Sequence, residues 1–440
     1  MQRILITNIG EFFTGDLAEP MKAVRSIAIA DGRIEAFDPV DEASGAGSGI
    51  LGDNGASANT TAVNRTTGGA NHAATDALPA GYDVVIDAAG SAVVPGLIDG
   101  HVHPVLGEWT PAQDAIGWVG NYLHGGTTTM LSAGELHAPG LDYGTLTPDL
   151  VTSLAVVTAS TFGSQRWSGV KVYAGTVLLV PGMTEAHFDR LAAVGARLVK
   201  FLFYPLESHR GEASRYVTWA RERGMRSKVH TGGVSRSGLS QICGYETLSW
   251  LQPDIAAHVS GGPIPMSDHD IDRVVDDLSM TLEMCSSGNY GSGLRLVNRL
   301  RESGQLGRLT LGSDTPGGTG IIPRGMWRNI LFLSSVCGVP AAEAVAIGTG
   351  NTARAHGLDV GILAPGRPAD LLICGPVEGS AGTTLTDAIT HGDLPGISHV
   401  LTAGEIIVAG RSRQTPPSRL KPITMCCGQG VSQFNQGDRP

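Results

Sequence analysis

The sequence predicts an α/β protein, a (β/α)8 TIM barrel carrying a small β-sandwich domain formed by its N- and C-terminal segments. Three observations predict it. Eight short apolar runs alternate with helical stretches over roughly 250 residues, the span such a barrel needs. At both ends of the chain this rhythm gives way to short strands separated by turn signals. The histidines, lysine and aspartate best suited to chemistry fall at or near the ends of the apolar runs, the face on which such a barrel carries its site.

Residues 1–93 are expected to supply the first part of the sandwich. Ile4-Leu5-Ile6-Thr7, Ser26-Ile27-Ala28-Ile29 and Arg33-Ile34-Glu35-Ala36 read as strands, and Asp31-Gly32 between the last two marks a hairpin. Residues 41–81 are rich in Gly, Ala, Ser, Asn and Thr and nearly free of large apolar side chains. Such a segment buries too little surface to offset its ordering entropy, so it is expected to be a flexible insertion. Residues 94–354 carry the barrel, with strands expected at 94–103, 127–132, 170–175, 196–203, 226–230, 254–258, 280–284 and 309–314. Helices are expected between them, for example at 215–223 and 294–302. Residues 355–415 return to short strands and complete the sandwich, and 416–440 read as a loosely ordered tail.

Composition narrows the function. The 440 residues carry a formal charge of −10 and only 16% charged residues, which supplies no broad cationic surface for nucleic acid or an anionic membrane. The opening residues contain no apolar segment of signal-peptide length and no later run approaches a membrane span, so a cytoplasmic location is expected. The six cysteines are scattered with no CxxC pair, which indicates reduced core residues rather than a disulfide framework.

The site is expected to centre on Val93-Val94-Pro95-Gly96-Leu97-Ile98-Asp99-Gly100-His101-Val102-His103. An apolar run closing on His-x-His places both imidazoles on one strand face, where they can share a metal ion. Lys200 sits in Leu198-Val199-Lys200-Phe201-Leu202-Phe203, where a bare ammonium would suffer several kcal/mol of desolvation. One solution is a carbamate formed with carbon dioxide, whose oxygens can bridge two metals. A lysine paired with a barrel carboxylate such as Glu283 is the other, and Lys171 is a weaker competitor for the role. His230 and His258 each follow a short strand and precede a glycine pair, which suits ligands of a second metal better than two independent core histidines. Asp314 closes the last run and can both ligate and exchange protons, although Asp-Thr-Pro-Gly is also a good turn. Arg324 and Arg236 are candidates for gripping a substrate carboxylate, Asn289 and Tyr290 for substrate hydrogen bonds, and Glu135 and His137 for supporting contacts.

In chain order, His101, His103, Lys200, His230, His258 and Asp314 resemble the metal-ligand set of the amidohydrolase superfamily. The flanking stretches Val94-Pro95-Gly96-Leu97-Ile98-Asp99 and Gly361-Ile362-Leu363-Ala364-Pro365-Gly366-Arg367-Pro368-Ala369-Asp370-Leu371 are also similar to that superfamily's, so the resemblance runs over most of the chain. Within it, His230-Thr231-Gly232-Gly233, Ser260-Gly261-Gly262-Pro263, Gly304-Gln305-Leu306-Gly307-Arg308, Thr319-Gly320-Ile321-Ile322-Pro323 and Asp393-Leu394-Pro395-Gly396-Ile397-Ser398 are similar to the branch that opens a cyclic enamide. The resemblance implies two divalent metal ions, zinc or a mixed iron and zinc pair, with N6-carboxylated Lys200 as the bridging ligand. It further implies a small-molecule substrate and a homo-oligomer, dimer or tetramer. One departure stands out: that branch is expected to bridge its metals with a glutamate on the fourth strand, and Lys200 makes the bridge more similar to that of hydantoinases and dihydroorotases.

The expected reaction is hydrolysis of a small cyclic amide or enamide by a metal-bridging hydroxide, with Asp314 moving the proton to the leaving nitrogen and ammonia lost in a later step. A cyclic imide hydrolase, a deaminase or an N-acyl amino acid hydrolase shares the same fold. A catalytically silent assembly protein is the reading from another class, and retention of all six ligand types speaks against it.

Overall fold

The computed structural model describes residues 2–39, 79, 81–103, 118–134, 142–164, 169–235, 238–286 and 289–426. The chain opens with β1 (Ile4–Thr7), β2 (Glu11–Asp16), β3 (Glu19–Met21), β4 (Ile27–Ala30) and β5 (Arg33–Phe37). β4 and β5 pair antiparallel through Asp31-Gly32, whose φ angles of 51° and 78° are the two left-handed positions that a two-residue turn demands. β6 (Val84–Asp87) then lies parallel to β1, and β7 (Ala92–Pro95) parallel to β2. The insertion expected at 41–81 falls almost wholly outside the described residues.

The chain leaves this region at Gly96, after β7. A Cβ at Gly96 would sit 2.1 Å from Thr128 Oγ1, so only glycine lets β7 pass directly into the next strand. Parallel strands follow. β8 (Leu97–Val102), β9 (Thr127–Ser132) and β10 (Lys171–Tyr173) make a three-stranded sheet. β11 (Val177–Leu178), β12 (Leu198–Phe201), β13 (Arg226–His230), β14 (Ile255–Ala257), β15 (Thr281–Cys285) and β16 (Leu309–Gly312) make a six-stranded one. The third expected strand, 170–175, stops at Tyr173; Gly175, at φ 91°, turns the chain, and the short strand β11, not expected from the sequence, opens the second sheet.

Hydrogen bonds link the two parallel sheets at both of their open edges. Thr176 Oγ1, between β10 and β11, donates to Ser132 O at 2.7 Å. On the other side Asp314 N donates to His101 O at 2.8 Å, His103 N to Thr315 O at 2.7 Å, and a parallel bridge joins Val102 to Thr315. Every residue of β8, β9, β12 and β16 is buried, as parallel strands covered on both faces must be. The covering helices bury one face at helical spacing: Ala213, Tyr216, Val217 and Ala220 in Arg210–Glu222, then Ile271, Val274 and Val275 in Asp268–Asp277, then Gly293, Leu296, Val297 and Leu300 in Tyr290–Glu302.

The last part of the chain returns to the first. β17 (Leu371–Gly375), β18 (Gly396–Thr402) and β19 (Glu405–Val408) extend the sheet begun by β7, β2 and β3, in the order β19-β18-β17-β7-β2-β3. The segment after Pro416, expected to be loosely ordered, instead supplies β20 (Ile423–Cys426), which pairs antiparallel with β6 at the edge of β20-β6-β1-β4-β5. Its unpaired backbone partner was the edge of β6, which the sequence does not reveal. The two sheets hold one core, to which Ile4, Ile6, Ile27, Ile29 and Ile86 come from one side and Phe12, Val93, Leu371, Ile373 and Leu401 from the other. Among the described residues no helix is long and apolar enough to cross a membrane, and Cys243, Cys285, Cys337, Cys374 and Cys426 are free thiols.

Candidate metal centre

Each of the six singled-out side chains leaves its strand where the carboxyl end meets the loop. His101 is the fifth residue of β8 and His103 follows its last, so the period of two puts them on one face. Lys200 is the third residue of β12, His230 the last of β13, and His258 follows β14 directly. Asp314 lies two residues beyond β16. His258 and Asp314 have φ of 39° and 61°, left-handed values that cost a side chain with a Cβ and persist where the surroundings impose them. All six line one pocket of about 600 Å³, measured to its open mouth. Tyr143, Leu202, Phe203 and Pro263 form its apolar walls, and Gly262, Gly317 and Gly318 its backbone side.

The hydrogen bonds around the rings decide where their lone pairs go. His101 Nδ1 lies 2.5 Å from Glu283 Oε1, and His103 Nδ1 lies 3.1 Å from Gly134 O. A carboxylate and a carbonyl only accept, so in each ring Nδ1 carries the proton and Nε2 keeps the lone pair. Those two Nε2 atoms converge on Asp314 Oδ1, at 3.5 Å from His101 and 3.1 Å from His103. His230 Nε2 donates to Gly233 O at 2.8 Å, which leaves Nδ1 as its lone pair. His258 Nδ1 is buried and has no hydrogen-bond partner, and its ring centroid stands 4.7 Å from that of His230 and 5.3 Å from that of His101. Several acceptors turned toward one another without a donor between them repel, unless a cation joins them. The donor set therefore fits divalent metal.

Lys200 is 1% exposed, and its Nζ has no hydrogen-bond partner. The sequence reading allowed it Glu283 as a partner. Glu283 is taken: its Oε2 accepts from Lys228 Nζ at 2.6 Å while Oε1 holds His101. Lys171, the competitor, donates to Asp370 at the opposite end of its strand and stays out of the site. Burial, and then the charge of Lys228, depress the Lys200 ammonium to about 8.

The same low-dielectric setting keeps the imidazoles of His101, His230 and His258 neutral, as ligands must be. Burial, reinforced by the Lys200 charge, holds His230 at about 4 and His101 well below the ordinary value; burial and then His230 do the same to His258. Burial works to raise Asp314, but the ring nitrogens and the Lys200 charge gathered around it outweigh that, so its carboxyl lies below the usual range. Asp99, which braces the site by accepting from His101 N at 3.2 Å and Ser313 N at 2.8 Å, goes the other way: burial pushes it up to about 7.

Among the described residues, the candidates Arg324, Asn289 and Tyr290 are not in the pocket wall. Arg324 is exposed at the start of the helix Gly325–Leu331. Asn289 Nδ2 donates to Gly262 O at 2.9 Å, supporting the loop rather than facing the pocket. Tyr290 packs on Phe332, with the Arg328 guanidinium over its ring. Arg236, Glu135 and His137 lie outside the described residues. Sequence reasoning missed Lys228, the brace Asp99, and the aromatic wall of Tyr143 and Phe203, whose centroids are 5.0 Å apart. Lys228 carries a weak signal, a lysine two residues before His230 and so on the same strand face; Tyr143 carries none.

Parallel strands that each deliver a lone pair or a carboxylate from their carboxyl ends to one point define a hydrolase working around divalent metal. The chain belongs to the amidohydrolase family and is a hydrolase acting on carbon–nitrogen bonds other than peptide bonds. Residues 205–407 match the model of the Amidohydrolase family, a stretch holding His230, His258 and Asp314. Enamidase from Eubacterium barkeri is 34% identical over 419 residues, covering 95% of this chain and 98% of that protein. A crystal structure of enamidase superposes with a TM-score of 0.80 at 32% identity, covering 96% of this chain and all of that one (100%). N-acetyl-D-glucosamine-6-phosphate deacetylase from Mycobacterium smegmatis, at 16% identity and a TM-score of 0.56 over 93% of this chain and 100% of its own, shares the fold alone.

Proposed function

We propose that this protein hydrolyses a small cyclic amide or enamide, as the name of its relative enamidase suggests, with ammonia released once the ring is open. The observation that carries this reading is the convergence of His101 Nε2, His103 Nε2 and Asp314 Oδ1, all within 4.8 Å of one another and with no donor among them. In this reading the two parallel sheets are one closed eight-stranded barrel, with β10 and β11 as two pieces of its third strand, and the terminal sheets are its β-sandwich companion. His101, His103 and Asp314 would hold one divalent ion and His230 and His258 a second, and Lys200, carboxylated on Nζ, would supply a carboxylate ligand to both. Zinc, or an iron and zinc pair, suits imidazole and carboxylate donors. The working enzyme is a cytoplasmic homo-oligomer, dimer or tetramer.

When bound, the ions supply Lewis acidity to the amide carbonyl and a water ionised near neutral pH. The chain's own residues do the rest. Asp314, held ionised, takes the proton of the attacking water and returns it to the nitrogen that leaves. Gly318, whose place a Cβ could not occupy within 1.7 Å of Asp314 Oδ2, fixes that carboxylate on the pocket side. Tyr143, Leu202 and Phe203 exclude water and offer a flat ring an apolar wall.

Metal analysis and a substrate screen test this together. About two equivalents of metal per chain are expected. Lactams, cyclic imides and enamides are offered to the metal-loaded protein, and ring opening and ammonia are followed separately; ammonia trailing ring opening is expected with enamides. Ring opening of imides without ammonia would move the protein to the hydantoinase type, and a folded protein that binds no metal would end the proposal.

A further inference from the structure

We infer that Lys228 and Glu283 are a buried positioning pair that sets the tautomer and the aim of His101, so that its Nε2 lone pair faces the pocket. The inference rests on the metal-site reading above. Three strands contribute one residue each: His101 from β8, Lys228 from β13 and Glu283 from β15. Lys228 stands two residues before His230 on the same strand, hence on the same face and one layer deeper. Both Lys228 and Glu283 are 0% exposed, and neither belongs to the wall of the pocket, so neither can touch a substrate there.

The geometry gives the pair one direction of action. Lys228 Nζ donates to Glu283 Oε2 at 2.6 Å and to Gly100 O at 2.8 Å. Gly100 precedes His101, so one ammonium grips both the backbone that carries the ring and the carboxylate that touches it. An ammonium has only donors and a carboxylate only acceptors. With Oε2 committed to Lys228, Oε1 is the atom left for His101 Nδ1, 2.5 Å away. The imidazole proton is thereby placed on Nδ1, and the opposite nitrogen is free for the ion shared with His103 and Asp314. Carboxylates that accept from a ligating histidine commonly orient it and raise its basicity. A buried ion pair with no such task is replaceable by packed apolar side chains with little or no loss. That contrast separates positioning from packing.

The test replaces the pair in two ways and reads Co²⁺ binding to the full-length protein, by chelator competition and by the visible band of the bound ion. Lys228→Met with Glu283→Leu removes both charges and the acceptor; Lys228→Met with Glu283→Gln removes the charges but keeps an oxygen for His101 Nδ1. The Leu pair is expected to bind Co²⁺ roughly 10- to 100-fold more weakly, with a shifted band, while the metal-free melting curve stays close to that of the wild type. The Gln pair is expected to recover most of the affinity. Should the Leu pair fail to fold, Lys228→Met with Glu283→Met, nearer in length, takes its place. Wild-type affinity and an unshifted band in the apolar pair overturn the positioning role alone. Wild-type protein that takes up no Co²⁺ overturns the metal reading, and this pair's role with it.

Discussion

In the proposed mechanism ligation and proton transfer meet on Asp314, and the two roles can be separated. An asparagine keeps the oxygen that faces His101 and His103 but cannot take a proton at working pH. Asp314→Asn is therefore expected to retain metal within about tenfold while kcat falls by roughly 10²–10⁴, the range a lost general base costs; unchanged turnover would remove Asp314 from the mechanism. Lys200 invites a second substitution. Its Nζ is buried, unpartnered and depressed to about 8, so at pH 7 roughly a tenth is the free amine that carbon dioxide can capture, far more than for an ordinary lysine. Metal uptake by the metal-stripped wild type is expected to quicken with added bicarbonate, and Lys200→Glu, a permanent carboxylate at that place, to take up metal without responding to it. A wild type indifferent to bicarbonate would leave Lys200 without its carbamate. These residues were legible because their strands are otherwise apolar, and a polar side chain in such a run needs a reason. Glu283 lies in Thr281-Leu282-Glu283-Met284-Cys285 and Lys228 in the far more polar Arg226-Ser227-Lys228-Val229-His230, and one-dimensional sequence does not say that they meet each other, so Glu283 was offered to the wrong lysine.

Among the elements, the loop after β16 shows how little room the site leaves. Gly318 is not at a left-handed φ, so an alanine there carries no backbone penalty; its Cβ would lie 1.7 Å from Asp314 Oδ2, and the carboxylate must move. Gly318→Ala is expected to lower kcat by on the order of 10²-fold, as a displacement of about 1 Å in a reacting group does, with little change in melting temperature. Gly291, with nothing within 4 Å of an added Cβ, is the control: Gly291→Ala should leave kcat unaltered and gain slightly in stability. Equal effects of the two would show that the Gly318 contact does not matter. Most of the parallel strands were readable within a residue or two, helped by burial on both faces, although β8 begins three residues later than expected and β2 and β3 were not read at all. The break at Gly175 was not readable, since a glycine at φ 91° looks no different in sequence from one that ends a strand. β20 was missed for another reason: Ile423-Thr424-Met425-Cys426 follows a proline-rich stretch and owes its conformation to the waiting edge of β6.

Over the whole molecule, buried histidines outside the pocket couple the fold to pH. Burial holds His124, His356 and His399 at about 4, and they sit in different places: His124 beside the chain at Ser412, His356 against Thr352, and His399 on β18. His399 Nε2 meets Thr424 Oγ1 of β20 at 2.8 Å, so it ties one terminal sheet to the other. An unfolded histidine titrates near 6.5, and each folded one near 4, so the unfolded chain binds more protons between those values. The stability these groups contribute is whole above about pH 6.5 and is lost as pH falls toward 4, on the order of 2–3 kcal/mol for each. Asp99 opposes them: a carboxyl raised to about 7 by burial stabilises the fold at low pH and loses that contribution as pH rises through 7. One such group against three leaves acidification destabilising. Urea midpoints measured on metal-loaded protein from pH 7.5 to 4.5 are expected to fall steadily below about pH 6.5, earlier than carboxylate titration alone would allow. His399→Gln, which keeps a polar side chain toward Thr424 but does not titrate, is expected to flatten that fall by about a third of the histidine contribution. A midpoint constant across the interval, or a slope the substitution does not change, would mean that these rings reach water in the folded state and that the sheets around β20 are looser than their hydrogen bonds indicate.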